Sequence, residues 1–175
     1  MIEASIPIQL VVTDRQCTAE TIATHNNITL KRLGRNSYGK DFDRDTYTCE
    51  VRDALIDHEI DLIAMAGFGT ILNKPIYDDF SNRILNTHPS LLPSFPGWHA
   101  VEEALEYGVK VTGCTVHIAT EEVDAGPILA QESIPVLKDD TKETLHERIK
   151  TVERQLYVDT INKIITTNGQ IERDQ

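Results

Sequence analysis

Short apolar stretches that alternate with amphipathic ones constrain this chain more than any other feature. Strands separated by helices build a parallel sheet with helices on both faces. Residues 7–13 and 61–67 have the continuous apolar character of buried strands. The first half is therefore predicted to form an open, mostly parallel α/β sheet. The predicted strands are 7–13, 28–33, 61–67 and 83–87. The predicted helices are 17–25, 44–59 (capped by Asp43) and 75–80, and residues 36–43 are predicted to form a polar loop.

The pattern changes after residue 97. A helix is predicted over 98–107 and ends at Gly108. Two predicted strands, 110–120 and 128–136, are joined by a short acidic turn, which indicates an antiparallel hairpin at the sheet edge. Asp140 and Glu143 have the spacing of a capping box, so a long helix should begin there and run to about Ile165. We expect one domain over residues 1–175, with a frayed tail over 166–175.

Composition excludes several classes of protein. Acidic residues number 28 against 17 basic ones, a net charge of −11 without any basic run, which argues against nucleic-acid binding. No apolar run approaches the ~20 residues that span a bilayer, and residues 1–7 lack the features of a signal peptide. Three scattered cysteines indicate neither a disulfide framework nor a metal site. We expect a cytoplasmic protein with free thiols, no membrane partner and no metal.

Residues 84–97 carry the densest functional signal. The predicted strand ends in Asn86 and His88, whose side chains share one face because strand side chains alternate. They lie at the carboxyl end of a predicted parallel strand, where open α/β sheets bind ligands. Three prolines and Gly97 then force a stiff, irregular loop. The alternative is a polar strand end with a surface histidine, but the combination favours a functional site.

Residues 111–127 form the second informative stretch. One face of the predicted strand is apolar, whereas the other is small and polar and predicts a cleft wall (Gly113, Thr115 and His117). Asp124 comes just before a Gly-Pro turn. A carboxylate that faces an imidazole raises the pKa of the imidazole and selects its tautomer, so we assign Asp124 a functional role. Glu121 and Glu122 are expected to be solvated residues of the hairpin tip.

Asn86, His88 and Asp124 together suit the direct attack of an amine on a small carbonyl. Asn86 would hold the oxyanion, His88 would add positive charge and transfer protons, and Asp124 would keep His88 basic. The chain has no nucleophile elbow, so covalent acyl transfer has no obvious agent. It also lacks a GxGxxG or P-loop lysine motif.

The order and spacing of these motifs, over roughly residues 7–165, resemble the glycinamide ribonucleotide formyltransferases. The motifs are Ala66-Gly67-Phe68, Ile71-Leu72, Asn86-x-His88-Pro-Ser-Leu-Leu-Pro93, Pro96-Gly97-x-His99, Gly113-x-Thr115-Val-His117 and Asp124-x-Gly126-Pro127-Ile128. The Pro-Gly-x-His ending is similar to the purine enzyme rather than to methionyl-tRNA formyltransferase or formyltetrahydrofolate hydrolase. The resemblance implies a Rossmann-like fold and the transfer of a formyl group from 10-formyltetrahydrofolate to the amine of glycinamide ribonucleotide, in de novo purine biosynthesis.

The resemblance also implies the residues of the site. Asn86, His88 and Asp124 would be catalytic, and Thr115 and His117 would line the site in support. The folate would be bound by Arg44, Gly69, Thr70, Ile71, Leu72, Asn86, Thr120, Glu121, Glu122, Val123 and Asp124. The ribonucleotide would contact Lys150, Thr151, Val152 and Glu153, with Glu153 near its amine.

Three departures from the family pattern stand out. Gly69-Thr70 replaces a usual Met-Arg, and Lys150 replaces a common Gln. The chain also begins where the first helix of the family ends, so the first strand–loop–helix unit, with its phosphate loop, would be missing. Either the sequence starts at an internal methionine or the phosphate site is lost, which would leave a folate-binding protein with little transferase activity. A formyltetrahydrofolate hydrolase is the other alternative, and a homo-oligomer is one way to cover exposed strand edges.

Overall fold

The computed structural model describes residues 1–35, 37 and 39–167. It divides the chain into two compact units, Ile2–Ile84 and the residues from Leu85 onward. Positions 168–175 of the tail that was predicted to be frayed lie outside the described residues. Positions 36 and 38 of the predicted loop also lie outside them. No described helix is long and apolar enough to cross a membrane.

The unit Ile2–Ile84 begins with a 3-10 turn at Ile2–Ala4 and then alternates strands with helices. Its elements are β1 (Leu10–Thr13), α1 (Thr18–His25), β2 (Thr29–Arg32), α2 (Arg44–Asp57), β3 (Ile63–Ala64) and α3 (Lys74–Asp79). β1 and β2 pair in parallel, with Val11 opposite Leu30, and α1 connects them. The predicted strand–helix–strand order with parallel pairing is confirmed here.

The helix α2 follows its sequence pattern closely. The Asp43 carboxylate caps the first turn by accepting a hydrogen bond from the backbone N–H of Thr46 at 3.0 Å. One face of the helix has helical spacing of apolar residues and is buried: Tyr47, Val51, Ala54 and Leu55. The helix ends at Asp57, two residues before the predicted end, because Glu59 has a positive φ of 51°.

The two predicted buried strands differ from expectation. Residues 7–13 form a strand only over Leu10–Thr13, which is mostly half-buried, because among the described strands β1 has a single neighbour, β2. The strand predicted over 61–67 shrinks to Ile63–Ala64, and Ala64 is exposed. Gly67 has a φ of 67°, a left-handed conformation that ends extended structure. The prediction of buried strands was therefore wrong at both places.

The unit that begins at Leu85 contains an antiparallel sheet flanked by helices. Its elements are β4 (Ile84–His88, with Ile84 the last residue of the first unit), α4 (Ala100–Tyr107), β5 (Val111–Ile118), β6 (Ile128–Pro135) and α5 (Lys142–Thr166). β5 pairs antiparallel with both β4 and β6, which confirms the predicted hairpin. α4 begins two residues later than predicted, with His99 as its N-cap residue, and it ends at left-handed Gly108 as predicted.

The apolar core of this unit lies between the sheet and α5. It consists of Val101, Cys114, Ile134, Leu145 and Ile149, with Val152 and Leu156 packed against them. The apolar residues of α5 therefore face this core. Burial raises the pKa of the Cys114 thiol to about 11, so the thiol stays protonated and contributes to packing rather than to chemistry.

The cap of α5 is shifted by one residue from the prediction. Thr141, not Asp140, is the N-cap, and it exchanges hydrogen bonds with Thr144 rather than with Glu143. Asp140 instead accepts the guanidinium of Arg148 and the N–H of Leu137. The predicted pair of Asp140 with Glu143 was wrong, since the Asp140 carboxylate also accepts the hydroxyl of Thr144 at 3.0 Å and the capping box forms between Thr141 and Thr144.

Candidate active site

The register of β4 and β5 places Asn86 opposite His117 and His88 opposite Thr115. The Asn86 amide nitrogen lies 3.2 Å from His117 Nε2, and His117 Nδ1 lies 3.1 Å from the carbonyl of Ile118. Since a carbonyl only accepts, Nδ1 donates, and Nε2 faces both the Asn86 amide and, at 3.6 Å, the carboxylate of Asp124. The amide has a second N–H, which this arrangement leaves for another acceptor.

The small polar face of β5 is buried against the proline-rich loop. Thr115 Oγ1 donates to the carbonyl of Ser90 at 2.7 Å and accepts hydrogen bonds from Leu92 N and Gln131 Nε2 at 3.1 and 3.0 Å. Gly113 is required because a Cβ there would lie 2.1 Å from the Glu132 carbonyl oxygen. The predicted open cleft wall is therefore wrong at these positions, because the face is covered and holds the loop in place.

Asp124 reaches the same cluster from the β5–β6 turn. Gly126 lets the turn fold tightly, since a Cβ there would lie 1.8 Å from the carbonyl oxygen of Ile118. Asp124 itself has a φ of 57°, a strained conformation that is common at functional sites. Its side chain is 6% exposed, and its carboxylate lies 3.2 Å from His88 Nδ1 and 3.6 Å from His117 Nε2. The backbone N–H of Gly97 donates to it at 2.8 Å.

Both ring nitrogens of the buried His88 face acceptors. Nδ1 faces the carboxylate of Asp124, and Nε2 lies 2.8 Å from the carbonyl of Phe95. Neither oxygen can donate, so both contacts are satisfied together only when both nitrogens carry protons. The geometry therefore favours His88 as the imidazolium.

The electrostatics of Asp124 agree with that arrangement. Burial by itself would raise the pKa of this carboxyl. The contact with His117, the N–H of Gly97 and the charge of His88 outweigh burial, and the pKa lies below its ordinary value. Asp124 is thus a carboxylate at neutral pH and a counter-charge for His88.

The cluster offers donors to an oxygen and a counter-ion, but no side-chain nucleophile. A carbonyl oxygen beside Asn86 and His88 would find an amide N–H and an imidazolium, which suits charge that develops during attack on a carbonyl. Within the described ranges no group of three or more His, Cys, Asp or Glu residues has the arrangement of a metal site.

The residues predicted to bind the folate lie in both units. In the first unit, Arg44 is exposed at the start of α2 and Leu72 is buried. Thr70 is also buried and donates to a carboxylate oxygen of Asp14 at 3.0 Å. In the second unit, Thr120 donates to the carbonyl of Glu122 at 3.0 Å. The remaining predicted members are half-buried Gly69 and Ile71 and exposed Glu121 and Val123, and Glu121 and Glu122 are solvated as expected.

The residues predicted to contact the ribonucleotide follow one another on α5. Lys150 pairs with Glu147 at 2.8 Å, and Val152 packs against the core. Thr151 donates to the carbonyl of Glu147 at 3.0 Å, and Glu153 is half-buried. In the part of the chain that the structure describes, none of these side chains is hydrogen-bonded to Asn86, His88 or Asp124.

Three groups at the site escaped the sequence analysis. The carbonyl of Phe95 and the N–H of Gly97 are backbone groups, for which residue type gives no signal. Gln131 donates to the carbonyl of Leu92 at 2.9 Å as well as to Thr115. In the sequence it is one polar residue of a predicted strand, and its position opposite Thr115 follows only from the register of β5 and β6 in the structure.

Residues 3–161 match the family model described as formyl transferase, and the chain therefore belongs to the formyl transferase family. Within that family it is similar to phosphoribosylglycinamide formyltransferases. The one from Mycobacterium tuberculosis is 45% identical over 153 residues, which are 87% of this chain and 70% of the relative.

Solved structures agree with this assignment. Glycinamide ribonucleotide transformylase 1 from Symbiobacterium toebii is 38% identical with a TM-score of 0.85, covering 91% of this chain and 76% of that one. Phosphoribosylglycinamide formyltransferase from Bacillus halodurans is 34% identical with a TM-score of 0.86, covering 95% of this chain and 86% of that one. The predicted family and the Rossmann-like α/β fold are confirmed.

Proposed function

We propose that this protein transfers the formyl group of 10-formyltetrahydrofolate to the amine of glycinamide ribonucleotide in purine biosynthesis. The observation that carries the proposal is the buried contact of Asp124 with His88, beside an Asn86 amide that retains one uncommitted N–H. The names of the 45% identical relative and of the solved neighbours support formyl transfer to glycinamide ribonucleotide.

In the proposed reaction the ribonucleotide amine attacks the formyl carbon directly. A new C–N bond forms, and the carbonyl π electrons move to the oxygen. Asn86 donates its second N–H to that oxygen and His88 supplies positive charge. A single donor of this kind is worth about 10²–10³-fold in rate.

Collapse of the tetrahedral intermediate completes the transfer. The electron pair returns from the oxygen, the bond from the formyl carbon to N10 of the folate breaks, and the amine loses a proton while N10 gains one. The His88 imidazolium would give the Nε2 proton to N10 once Nε2 leaves the carbonyl of Phe95, and Nε2 would then take the proton that the amine loses, which restores the imidazolium beside Asp124.

The remaining predictions belong to the same proposal. The folate would be held by Arg44, Gly69, Thr70, Ile71, Leu72 and the turn 120–124, and the ribonucleotide by residues 150–153. Thr115 and His117 would support the catalytic groups. We also propose a single functional domain over residues 1–175 and a cytoplasmic location, in keeping with the free thiols of Cys17, Cys49 and Cys114. Self-association stays a prediction.

The test is a transfer assay with both substrates that follows tetrahydrofolate and formylated ribonucleotide. We expect wild-type turnover and its loss in His88→Ala, whereas His25→Ala, which removes an exposed histidine of α1, should behave like the wild type. Near-normal turnover by His88→Ala would refute the assigned role. Formate release without ribonucleotide would instead indicate a hydrolase, and folate binding without transfer would indicate a binding protein.

A further inference from the structure

A second polar cluster lies at the carboxyl end of β1, within the unit Ile2–Ile84. Asp14 directly follows the last residue of the strand, and its side chain is 4% exposed. One carboxylate oxygen accepts a hydrogen bond from Arg15 Nη1 at 2.7 Å, and the other accepts the Thr70 hydroxyl at 3.0 Å. Asp14 is therefore buried and held in place by Thr70, and its other carboxylate oxygen orients the guanidinium of Arg15.

The guanidinium of Arg15 is the exposed side of that cluster. The Arg15 side chain is 54% exposed, and Asp14 is the single hydrogen-bond acceptor that the described residues offer it. A guanidinium has five N–H donors, and the described residues offer an acceptor to one of them, so the others are available to a ligand. The buried anchor restricts the orientation of the guanidinium, which lowers the entropy lost when it binds a ligand.

Gly69 lies directly beside this guanidinium. A Cβ at position 69 would lie 3.3 Å from Arg15 Nη1, a tight contact, and 3.6 Å from Asp14 Oδ2, an ordinary van der Waals contact. Because β1 and β2 are parallel, the cluster lies at the strand ends where open α/β sheets bind ligands. Gly69 and Thr70 also belong to the segment proposed above to hold the folate.

We propose that Arg15 binds an oxyanion group of a substrate and that Asp14 is its positioning residue. A chain with a net charge of −11 needs local bases for an anionic ligand, and the planar fork of arginine matches carboxylate or phosphate oxygens. The identity of the ligand rests on the proposed function, since the glutamate carboxylates of the folate and the phosphate of the ribonucleotide share this chemistry.

The experiment compares Arg15→Gln with Arg52→Gln by calorimetry on the full chain. Arg52 likewise pairs with a sequence neighbour, Asp53 at 2.6 Å, and with Asp79 at 3.5 Å, so Arg52→Gln controls for the loss of a paired guanidinium elsewhere in the same unit. The ligands are folic acid, pteroic acid, which has the same ring system without the glutamate, and glycinamide ribonucleotide. Thermal melts verify that each variant is folded, and Arg15→Lys should restore part of the affinity because it keeps the charge but not the fork.

The two sources of the oxyanion give different results. If the carboxylates bind Arg15, Arg15→Gln binds folic acid about tenfold more weakly, equivalent to ~1.4 kcal/mol, and pteroic acid as well as the wild type does. If the phosphate binds Arg15, the loss falls on glycinamide ribonucleotide instead. Unchanged affinity for all three ligands would overturn the proposal.

This test is separable from that of the proposed function because it measures binding without turnover. A wild-type chain that binds neither substrate would refute the proposed function. Titration with inorganic phosphate and with glutarate then tests Arg15 alone. Weaker binding of either anion by Arg15→Gln than by Arg52→Gln supports the oxyanion site, and equal binding by both variants refutes it.

Discussion

Asp124 and Asp140 are nearly buried carboxylates in the same unit, with side chains 6% and 4% exposed. The pKa of each lies below its ordinary value, but for different reasons. Hydrogen bonds from Arg148 lower the pKa of Asp140 to about 2. Burial opposes ionisation of Asp124, and the contacts with His117, Gly97 and His88 outweigh it.

The two carboxylates differ in the residue that each one pairs with, not in the direction of the pKa shift. Arginine does not lose its proton in proteins, so the ion pair of Asp140 with Arg148 is permanent and ties the start of α5 to the preceding turn. Histidine changes charge near neutral pH, so the partner of Asp124 can take part in proton transfer. The backbone at the two residues also differs, because Asp124 has a positive φ and Asp140 does not.

The largest expected effect tests this division directly. Asp124→Asn should lower kcat/KM by about 10²–10⁴-fold because His88 loses its counter-charge, whereas Asp140→Asn should leave it nearly unchanged. Steady-state transfer assays on both variants measure the difference. Similar losses in the two variants would contradict the division between a catalytic and a structural carboxylate.

A smaller effect is expected from Thr115→Val, which tests how the proline-rich loop is held. The substitution keeps the shape of the side chain but leaves the carbonyl of Ser90 and the N–H of Leu92 without their buried partner. We expect a loss of about 1–3 kcal/mol in the free energy of unfolding, measured by urea denaturation. The control is Thr160→Val, which removes a single hydrogen bond within α5. Equal stability of the two variants would show that Thr115 does not hold the loop.

The smallest expected effect is the pH dependence of stability at Asp140. Its pKa is lower in the folded state than the ~3.9 of an unfolded aspartate. Its ionised form therefore stabilises the fold above about pH 4, and that contribution is lost as the pH falls toward about 2. The difference in Tm between wild type and Asp140→Asn should be greatest near neutral pH and disappear near pH 2. A difference that stays constant over this range would mean that Arg148 does not stabilise the carboxylate.

The sequence was most informative where strand geometry alone places side chains. The alternation in β4 predicted that Asn86 and His88 share a face, and the Gly-Pro turn marked Asp124 as the carboxylate that faces an imidazole. It was least informative where backbone groups or distant side chains act. The carbonyl of Phe95 has no signature in residue type, and the local spacing predicted a capping box at Asp140 rather than its pairing with Arg148.

By itself, the sequence determined which segments form helices and strands, because hydrophobic periodicity, caps and turn glycines act among residues a few positions apart. The tertiary structure alone decided which groups meet. The N–H of Gly97 reaches Asp124 across 27 positions, and the hydroxyl of Thr70 reaches Asp14 across 56. Such contacts depend on the path of the whole chain, so the covered face of β5, the two acceptors around the His88 ring and the anchored guanidinium of Arg15 became visible only in the fold.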